Sequence, residues 1–190
     1  MKHQRRSVMG LAMAIGYVVT LVAAAGQSGA ETFTATASVK SPTATAAVKV
    51  TIRIDRFVSD AERDRILAVV KNNDPAATLK ALEAAADIGS IDIGTRKTPI
   101  KYAYARATGG GRLITVVTAR PVAFVGGSAP GAKAKEGFDL ALALLVLDGE
   151  GKGDGEIAPA ARVKVDDKGA LVTDDYSKET VRLTGIARVK

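Results

Sequence analysis

The stretch FDLALALLVL, residues 138–147, decides the fold that the sequence predicts. Its even positions, from Phe138 to Val146, are all large and apolar, and its odd positions after Asp139 are leucine or alanine. A strand with one wet face alternates apolar and polar residues, whereas a strand buried on both faces does not. The pattern therefore predicts a central strand, and its small alanines leave room for a helix to pack closely.

The chain around this stretch, from Ile100 to its end, reads as strands separated by glycine-rich turns. The predicted strands cover residues 100–107, 112–120, 138–147, 156–165, 170–176 and 181–189. Gly109-Gly110-Gly111 and Asp167-Lys168-Gly169 are hairpin signals. Strands joined by short turns are typical of an antiparallel meander, in which Pro121 ends pairing or marks an edge.

A strand and two helices are predicted before the meander. Residues 48–55 alternate between apolar and polar, as in a strand with one wet face. Ser59 and Glu62 form a capping box that starts the first helix. The second helix starts at Asp74-Pro75, where proline loses no hydrogen bond. The whole pattern predicts an α+β fold, a twisted antiparallel sheet with two short helices packed on one face.

The first thirty residues predict an export signal. Arg5 and Arg6 precede an apolar run over residues 8–25, which ends in small residues. The small residues allow cleavage after Ala25 or after Ala30, and we expect cleavage after Ala30. The paired arginines also resemble a twin-arginine signal, and an uncleaved membrane anchor is the alternative to a removed leader. We therefore expect a periplasmic or secreted protein, with membrane contact only through an uncleaved signal.

Composition divides the chain into three parts. Residues 1–30 are predicted to be the signal peptide, residues 31–47 a Thr/Ala/Ser-rich linker, and residues 48–190 a single domain. The linker contains Pro42 and lacks sustained apolar periodicity, which is typical of a spacer. The domain is long enough for one sizeable core.

The residue types exclude several chemistries. The chain has no cysteine, and its one histidine, His3, lies in the leader. Serine–histidine and cysteine–histidine hydrolysis need an imidazole, and zinc sites mostly need histidine or thiolate ligands. Loss of Lys2, Arg5 and Arg6 lowers the net charge from +7 to +4. Because aromatic residues are few and no basic run stands out, nucleic acid is not an expected partner.

The acidic turn at residues 148–156 is a candidate calcium site, because carboxylates on a pliable backbone suit a hard cation. Its four carboxylates are Asp148, Glu150, Asp154 and Glu156. The match to a calcium loop is partial, since Lys152 occupies a ligand position and Pro159 replaces the closing glutamate. The alternative is a polar hairpin loop, and no cofactor other than calcium is indicated.

A group of aromatic and basic side chains on the predicted strands is a candidate anion-binding surface. The group comprises Tyr102, Tyr104, Arg106, Arg112 and Arg120. Arginines among apolar residues on paired strands can line an anionic pocket, although solvated strand edges also carry arginine.

Carboxylate pairs could support glycoside hydrolysis, which needs two acids at a set separation. The candidates are Asp139, Asp174, Asp175 and Glu179. Ser128 near Lys133 and Lys135 could form a serine–lysine pair, although its Ser-Ala-Pro-Gly context is typical of a loop. No catalytic residue is assigned from these patterns.

Three segments resemble a family of secreted bacterial proteins that has no assigned activity. They are residues 53–57 with residues 59–63, residues 118–124 and residues 153–161. The likeness covers residues 48–190. It implies export and a shared fold, and it transfers no functional residue.

Together these observations predict an exported, non-catalytic binding or interaction domain. Its target would be a small ligand, an envelope component or another protein. The alternative is a hydrolase of the cell envelope that uses carboxylates or a metal they bind. A third reading, a structural or assembly subunit, predicts an exposed apolar patch or an unpaired sheet edge.

Overall fold

The structure is a computed structural model that describes residues 29–40, 45–124, 137–176 and 180–189. These residues form nine strands and two helices: β1 (Glu31–Lys40), β2 (Thr45–Ile54), α1 (Asp60–Val70), α2 (Pro75–Ala84), β3 (Gly89–Ile93), β4 (Arg96–Thr108), β5 (Gly111–Thr118), β6 (Leu140–Asp148), β7 (Lys152–Val165), β8 (Leu171–Tyr176) and β9 (Val181–Val189). The predicted signal peptide lies outside the described residues except for Gly29 and Ala30.

The sheet closes on itself. Its strands follow the order β6-β5-β4-β3-β2-β1-β9-β7-β8, and β6 also pairs with β7. All of these pairings are antiparallel. Every strand except β8 therefore belongs to a closed ring of eight, and β8 extends β7 outside the ring.

The predicted α+β class is therefore wrong, because the molecule is an antiparallel β-barrel rather than an open sheet covered by helices. The strands and helices predicted from residue 100 onward and at residues 48–75 are present, with shifted ends. Two further strands, β1 and β3, change the architecture. Strand β1 pairs with β2 on one side and β9 on the other, so it joins the two ends of an otherwise open sheet.

Strand β1 occupies most of the segment predicted to be a linker. Phe33, Ala35 and Ala37 are buried, while Thr36 and Ser38 between and after them are exposed. This is the period-two pattern of a strand with one wet face. The pattern is faint in the sequence because alanine and threonine differ little in hydropathy.

The register of the ring places one set of side chains inside the barrel. These inward residues are almost fully buried and include Phe33, Ile52, Ile91, Ile100, Ala103, Ile114, Leu145 and Leu183. Ala141 and Ala143 of β6 also face inward, opposite Thr118 and Val116. They make room for neighbouring barrel side chains, not for the closely packed helix that the sequence predicts.

Both helices begin as the sequence predicts, and they lie outside the barrel. Ser59 Oγ accepts a hydrogen bond from the Glu62 amide, and Glu62 Oε2 accepts one from the Ser59 amide at 2.8 Å. Asp74 caps α2 by accepting a hydrogen bond from the Ala77 amide, and Pro75 is its first helical residue. Within the described residues, no helix is long and apolar enough to cross a bilayer.

Glycines in the acidic segment belong to strand β7 as well as to the turn. A Cβ atom at Gly155 would overlap the carbonyl oxygen of Leu144 on β6 and lie 3.0 Å from Ile186 Cδ1 on β9. We expect Gly155→Ala to lower the free energy of unfolding by about 1–3 kcal/mol, because the paired strands must separate. Urea denaturation measures this. Gly149→Ala is the control, since nothing lies within 4 Å of its added Cβ, and an equal loss in both variants would contradict the expectation.

The capping box also predicts a pH dependence. The Arg56 guanidinium and the Ser59 amide lower the pKa of Glu62 from 4.5 to about 2, so its contribution to stability is complete above pH 4.5 and is lost as pH falls towards 2. Because the side chain is 35% exposed, solvent screening limits this contribution to about 1 kcal/mol. We expect Glu62→Gln to destabilise the protein at neutral pH and to match the wild type near pH 2. Thermal unfolding at neutral pH and near pH 2 tests this expectation. Glu83→Gln, at an exposed position, is the control and should match the stability of the wild type at both pH values.

Candidate anion-binding pocket

A small pocket lies on the outer face of the barrel, where α1 and the β7–β8 turn approach strands β4 and β5. Its volume is about 80 Å³. It is lined by Arg63, Tyr102, Tyr104, Arg106, Leu113, Thr115 and the turn residues Lys168–Leu171. Three of the five residues predicted to bind an anion are therefore brought together here.

Strand periodicity explains why these side chains share one face. Tyr102, Tyr104 and Arg106 are two residues apart on β4, so they project from the same side of the strand. Tyr104 pairs with Thr115 of β5, and Arg106 pairs with Leu113. The intervening Ala103 is completely buried and faces the barrel interior.

Helix α1 supplies the second wall through Arg63. Its guanidinium lies 4.7 Å from the centre of the Tyr104 ring and donates a hydrogen bond to the Tyr104 hydroxyl. That hydroxyl donates in turn to Asp60 Oδ1 at 3.1 Å. A hydrogen bond to Asp64 raises the pKa of Arg63 above its ordinary value. Arg63 is therefore a fixed cation that ties α1 to the barrel.

The β7–β8 turn supplies the third wall. Asp166 Oδ1 accepts hydrogen bonds from the amides of Lys168 and Ala170, at 2.9 and 2.7 Å, which fixes the turn. Leu171, the first residue of β8, is almost fully buried and anchors the hairpin against the barrel. The turn thereby holds Lys168 at the edge of the pocket.

The resulting pocket is cationic. Arg63, Arg106 and Lys168 line it from three different elements, and no carboxylate is part of its lining among the described residues. Asp60 and Asp64 offset the charge of Arg63. In contrast, no hydrogen bond or ion pair engages the side chain of Arg106 or Lys168 within the described part of the chain.

The hydroxyl of Tyr102 adds a neutral polar group to the pocket. Burial raises the pKa of Tyr102, which therefore stays protonated at neutral pH. A neutral phenol can donate a hydrogen bond, so it adds a donor without adding negative charge.

The other two predicted anion-binding arginines lie elsewhere. Arg112 has the same inward orientation as Ile114, and its side chain is only 13% exposed. It pairs with Glu31 at 2.7 Å and lies over the Phe33 ring at the end of the barrel. Arg120 follows β5 and is exposed.

The four carboxylates of the predicted calcium site do not converge. Asp148 Oδ1 accepts hydrogen bonds from the backbone amides of Glu150 and Lys152, which lower the pKa of Asp148. Glu150 pairs with Lys152 at 2.7 Å, and Asp154 lies on β7, where it accepts from the Gly185 amide. Glu156 also lies on β7, opposite Arg182. Across the described ranges no group of three or more acidic side chains is placed to hold a metal ion, and calcium binding stays a prediction.

Of the carboxylates considered for hydrolysis, Asp139 and Asp174 line one larger cleft on another side of the β7–β8 hairpin. Asp175 is exposed on β8. Glu179 and the possible serine–lysine pair of Ser128 with Lys133 or Lys135 lie outside the described residues.

Sequence reasoning missed the two other cationic members of the pocket, Arg63 and Lys168. Arg63 lies one residue after the capping box and reads as part of a solvated helix face. Lys168 is the middle residue of a predicted hairpin turn. Both are brought to Tyr104 and Arg106 by packing between distant segments of the chain. Hydrophobic periodicity and turn residues in the sequence do not predict such packing.

Comparison with known proteins finds no matching family model, no matching curated protein and no matching solved structure. The resemblance to secreted bacterial proteins therefore stays a prediction. The pocket has to be interpreted from its own chemistry.

Because Arg112 is largely buried and Arg120 is exposed, we expect their substitution to change the free energy of unfolding by different amounts. We expect Arg112→Met to lower the free energy of unfolding by about 2 kcal/mol, because it removes a charged hydrogen bond to the largely buried Glu31. Arg120→Met should change it by less than about 0.5 kcal/mol, since the side chain is exposed. Denaturant unfolding of both variants measures the difference. Equal stabilities would show that the pair at the barrel end contributes nothing.

Proposed function

We propose that this protein is an exported, non-catalytic binding domain that recognises the anionic group of a small ligand. The supporting observation is the convergence of Arg63, Arg106 and Lys168 on one pocket without a lining carboxylate. Asp60 and Asp64 offset the charge of Arg63, whereas no ion pair engages Arg106 or Lys168 among the described residues. A bound anion would accept hydrogen bonds from these two side chains and reduce the repulsion between them.

The size of the pocket defines what part of a ligand it holds. A volume of 80 Å³ corresponds to about two or three water molecules at roughly 30 Å³ each. This suits one carboxylate, phosphate or sulfate group and not a whole metabolite. The remainder of the ligand would lie across the surface between α1 and the β7–β8 turn.

Export is part of the same proposal. The basic and apolar pattern of the leader supports a periplasmic or secreted location. Strand β1 begins at Glu31, so cleavage after Ala30 removes no residue of the barrel. A small ligand, an envelope component or a protein carrying an exposed anionic group would each fit such a site.

The alternative of a carboxylate-based hydrolase has less support. A general acid needs a raised pKa, but the carboxyl groups with clearly displaced pKa values among the described residues, Glu62, Asp148 and Asp174, are all displaced downwards. Asp174, the one that lines a cleft, is held ionised by Arg162 and Lys164. A binding role therefore accounts better for the observed environments.

Arg106 is the residue whose removal tests the proposal. We expect phosphate and sulfate to raise the melting temperature above that in chloride of equal ionic strength, because a ligand that binds only the folded state stabilises it. In Arg106→Gln this anion-specific rise should be lost. Differential scanning fluorimetry over a concentration series measures it.

Arg96→Gln is the matched control, since Arg96 is an exposed arginine on the same strand and does not line the pocket. General salting effects act on all three proteins alike, so only the difference between them reports site binding. An equal rise in the wild type and both variants would contradict the proposal.

A further inference from the structure

A second and larger cleft lies between the α1–α2 corner and the β7–β8 hairpin. Its volume is about 380 Å³, at the lower end of the range of about 300–1,000 Å³ for small-molecule sites. It shares no lining residue with the anion-binding pocket. Its walls come from four places: the α1–α2 corner, residues 137–140 before and at the start of β6, strand β7 and strand β8.

The hairpin wall is rich in hydrogen-bond donors. Arg162 Nη2 and Lys164 Nζ each lie 3.2 Å from a different oxygen of Asp174. A guanidinium has five N–H donors and an ammonium has three, so one contact each leaves donors available to a ligand. Arg162 is also positioned by Phe138, whose ring centre lies 5.6 Å from its guanidinium carbon.

The opposite wall offers acceptors. Asp139 lines the cleft, and no hydrogen bond or ion pair engages its carboxylate within the described ranges. Asp74 also lines the cleft and uses Oδ1 to cap α2, which leaves its second oxygen available. Gly137 between these walls has a φ of 82°, and a side chain there would meet Arg162 Cδ at 3.5 Å and Pro75 Cβ at 3.8 Å.

Apolar side chains complete the cleft. They are Val70 at the end of α1, Leu79 on α2, Leu140 on β6 and Val163 on β7. The cleft thus combines available donors on one wall, a carboxylate that has no partner among the described residues on another, and an apolar lining. A molecule that carries an anionic group, a cationic group and a small apolar side chain complements all three.

We propose that this cleft binds a zwitterionic ligand of the amino-acid class. The ligand carboxylate accepts hydrogen bonds from Arg162 and Lys164, and its ammonium group donates to Asp139. Its side chain lies against Leu79 and Val163. The volume accommodates a single amino acid or a short peptide end.

Three related probes separate the contributions of the two charges. L-Leucine carries both charges, L-leucinamide lacks the carboxylate, and 4-methylpentanoate lacks the ammonium group. Isothermal titration of the purified protein should show binding of leucine and weaker binding of each singly charged analogue. No heat from leucine at millimolar concentrations, or equal affinity for leucine and leucinamide, would overturn the proposal.

Two substitutions in the cleft should change the affinity in opposite directions. Asp139→Asn should weaken leucine binding about tenfold and should not weaken the binding of 4-methylpentanoate, because only the ammonium loses its charged partner. Asp174→Asn should strengthen binding of both leucine and 4-methylpentanoate, because it removes the side-chain carboxylate that competes with the ligand for Arg162 and Lys164. Asp55→Asn, at an exposed position outside the cleft, is the control, and circular dichroism verifies that each variant is folded.

The anion-binding pocket provides the internal control for location. Arg106→Gln should leave leucine binding unchanged, and Asp139→Asn should leave the phosphate-dependent rise in melting temperature unchanged. Loss of leucine binding in Arg106→Gln would place the amino acid in the other pocket and overturn the assignment to this cleft.

Discussion

Closure of the barrel depends on the backbone hydrogen bonds that β1 makes with two strands from opposite ends of the chain. Strand β2 follows β1 directly, whereas β9 is the last strand, and β1 pairs with both. Together with the pairing of β6 to β7, these bonds close the ring, so that each of its eight strands pairs with a neighbour on both sides. The register places Phe33, Ala35 and Ala37 of β1 on the buried face, where Phe33 lies opposite Ile52 and Ala35 opposite Val50 of β2.

A ring filled in this way has little room for a ligand at its centre. The largest inward side chains, such as Phe33, Ile52 and Leu145, are almost fully buried and occupy the interior. The pockets therefore lie outside the barrel, where helix α1 and the β7–β8 hairpin pack against it. Strand β7 is long enough to pair with β9 over residues 152–157 and with β8 over residues 161–165, so its second half leaves the ring as a hairpin. Both pockets border this hairpin and helix α1.

Local signals in the sequence were sufficient for most elements but not for the architecture. The capping box of Ser59 and Glu62, the Asp74-Pro75 start and the two glycine turns have short-range causes, and each is present in the structure. Strand β1 was missed because Thr, Ala and Ser give little hydropathy contrast, and the five-residue β3 because it is short. An open sheet and a closed barrel differ by only a few pairings between distant strands, which periodicity does not report. Tyr102, Tyr104 and Arg106 lie together in the structure because they share one strand face, whereas Arg63 and Lys168 reach them only through tertiary packing.

The distribution of charge distinguishes the two pockets more clearly than their shapes do. In the smaller pocket Arg106 and Lys168 have no carboxylate partner among the described residues, so an anion is the group whose binding removes the most repulsion. In the larger cleft Asp174 already neutralises much of the charge of Arg162 and Lys164, and Asp139 has no hydrogen bond or ion pair with any described residue. An anion alone would have to compete with Asp174, and a cation alone would leave the spare donors of the hairpin unused. The β7–β8 hairpin supplies a wall to each site, and the buried Leu171 packs this hairpin against the barrel. Ligand binding at both sites therefore depends on the same packing that stabilises the barrel.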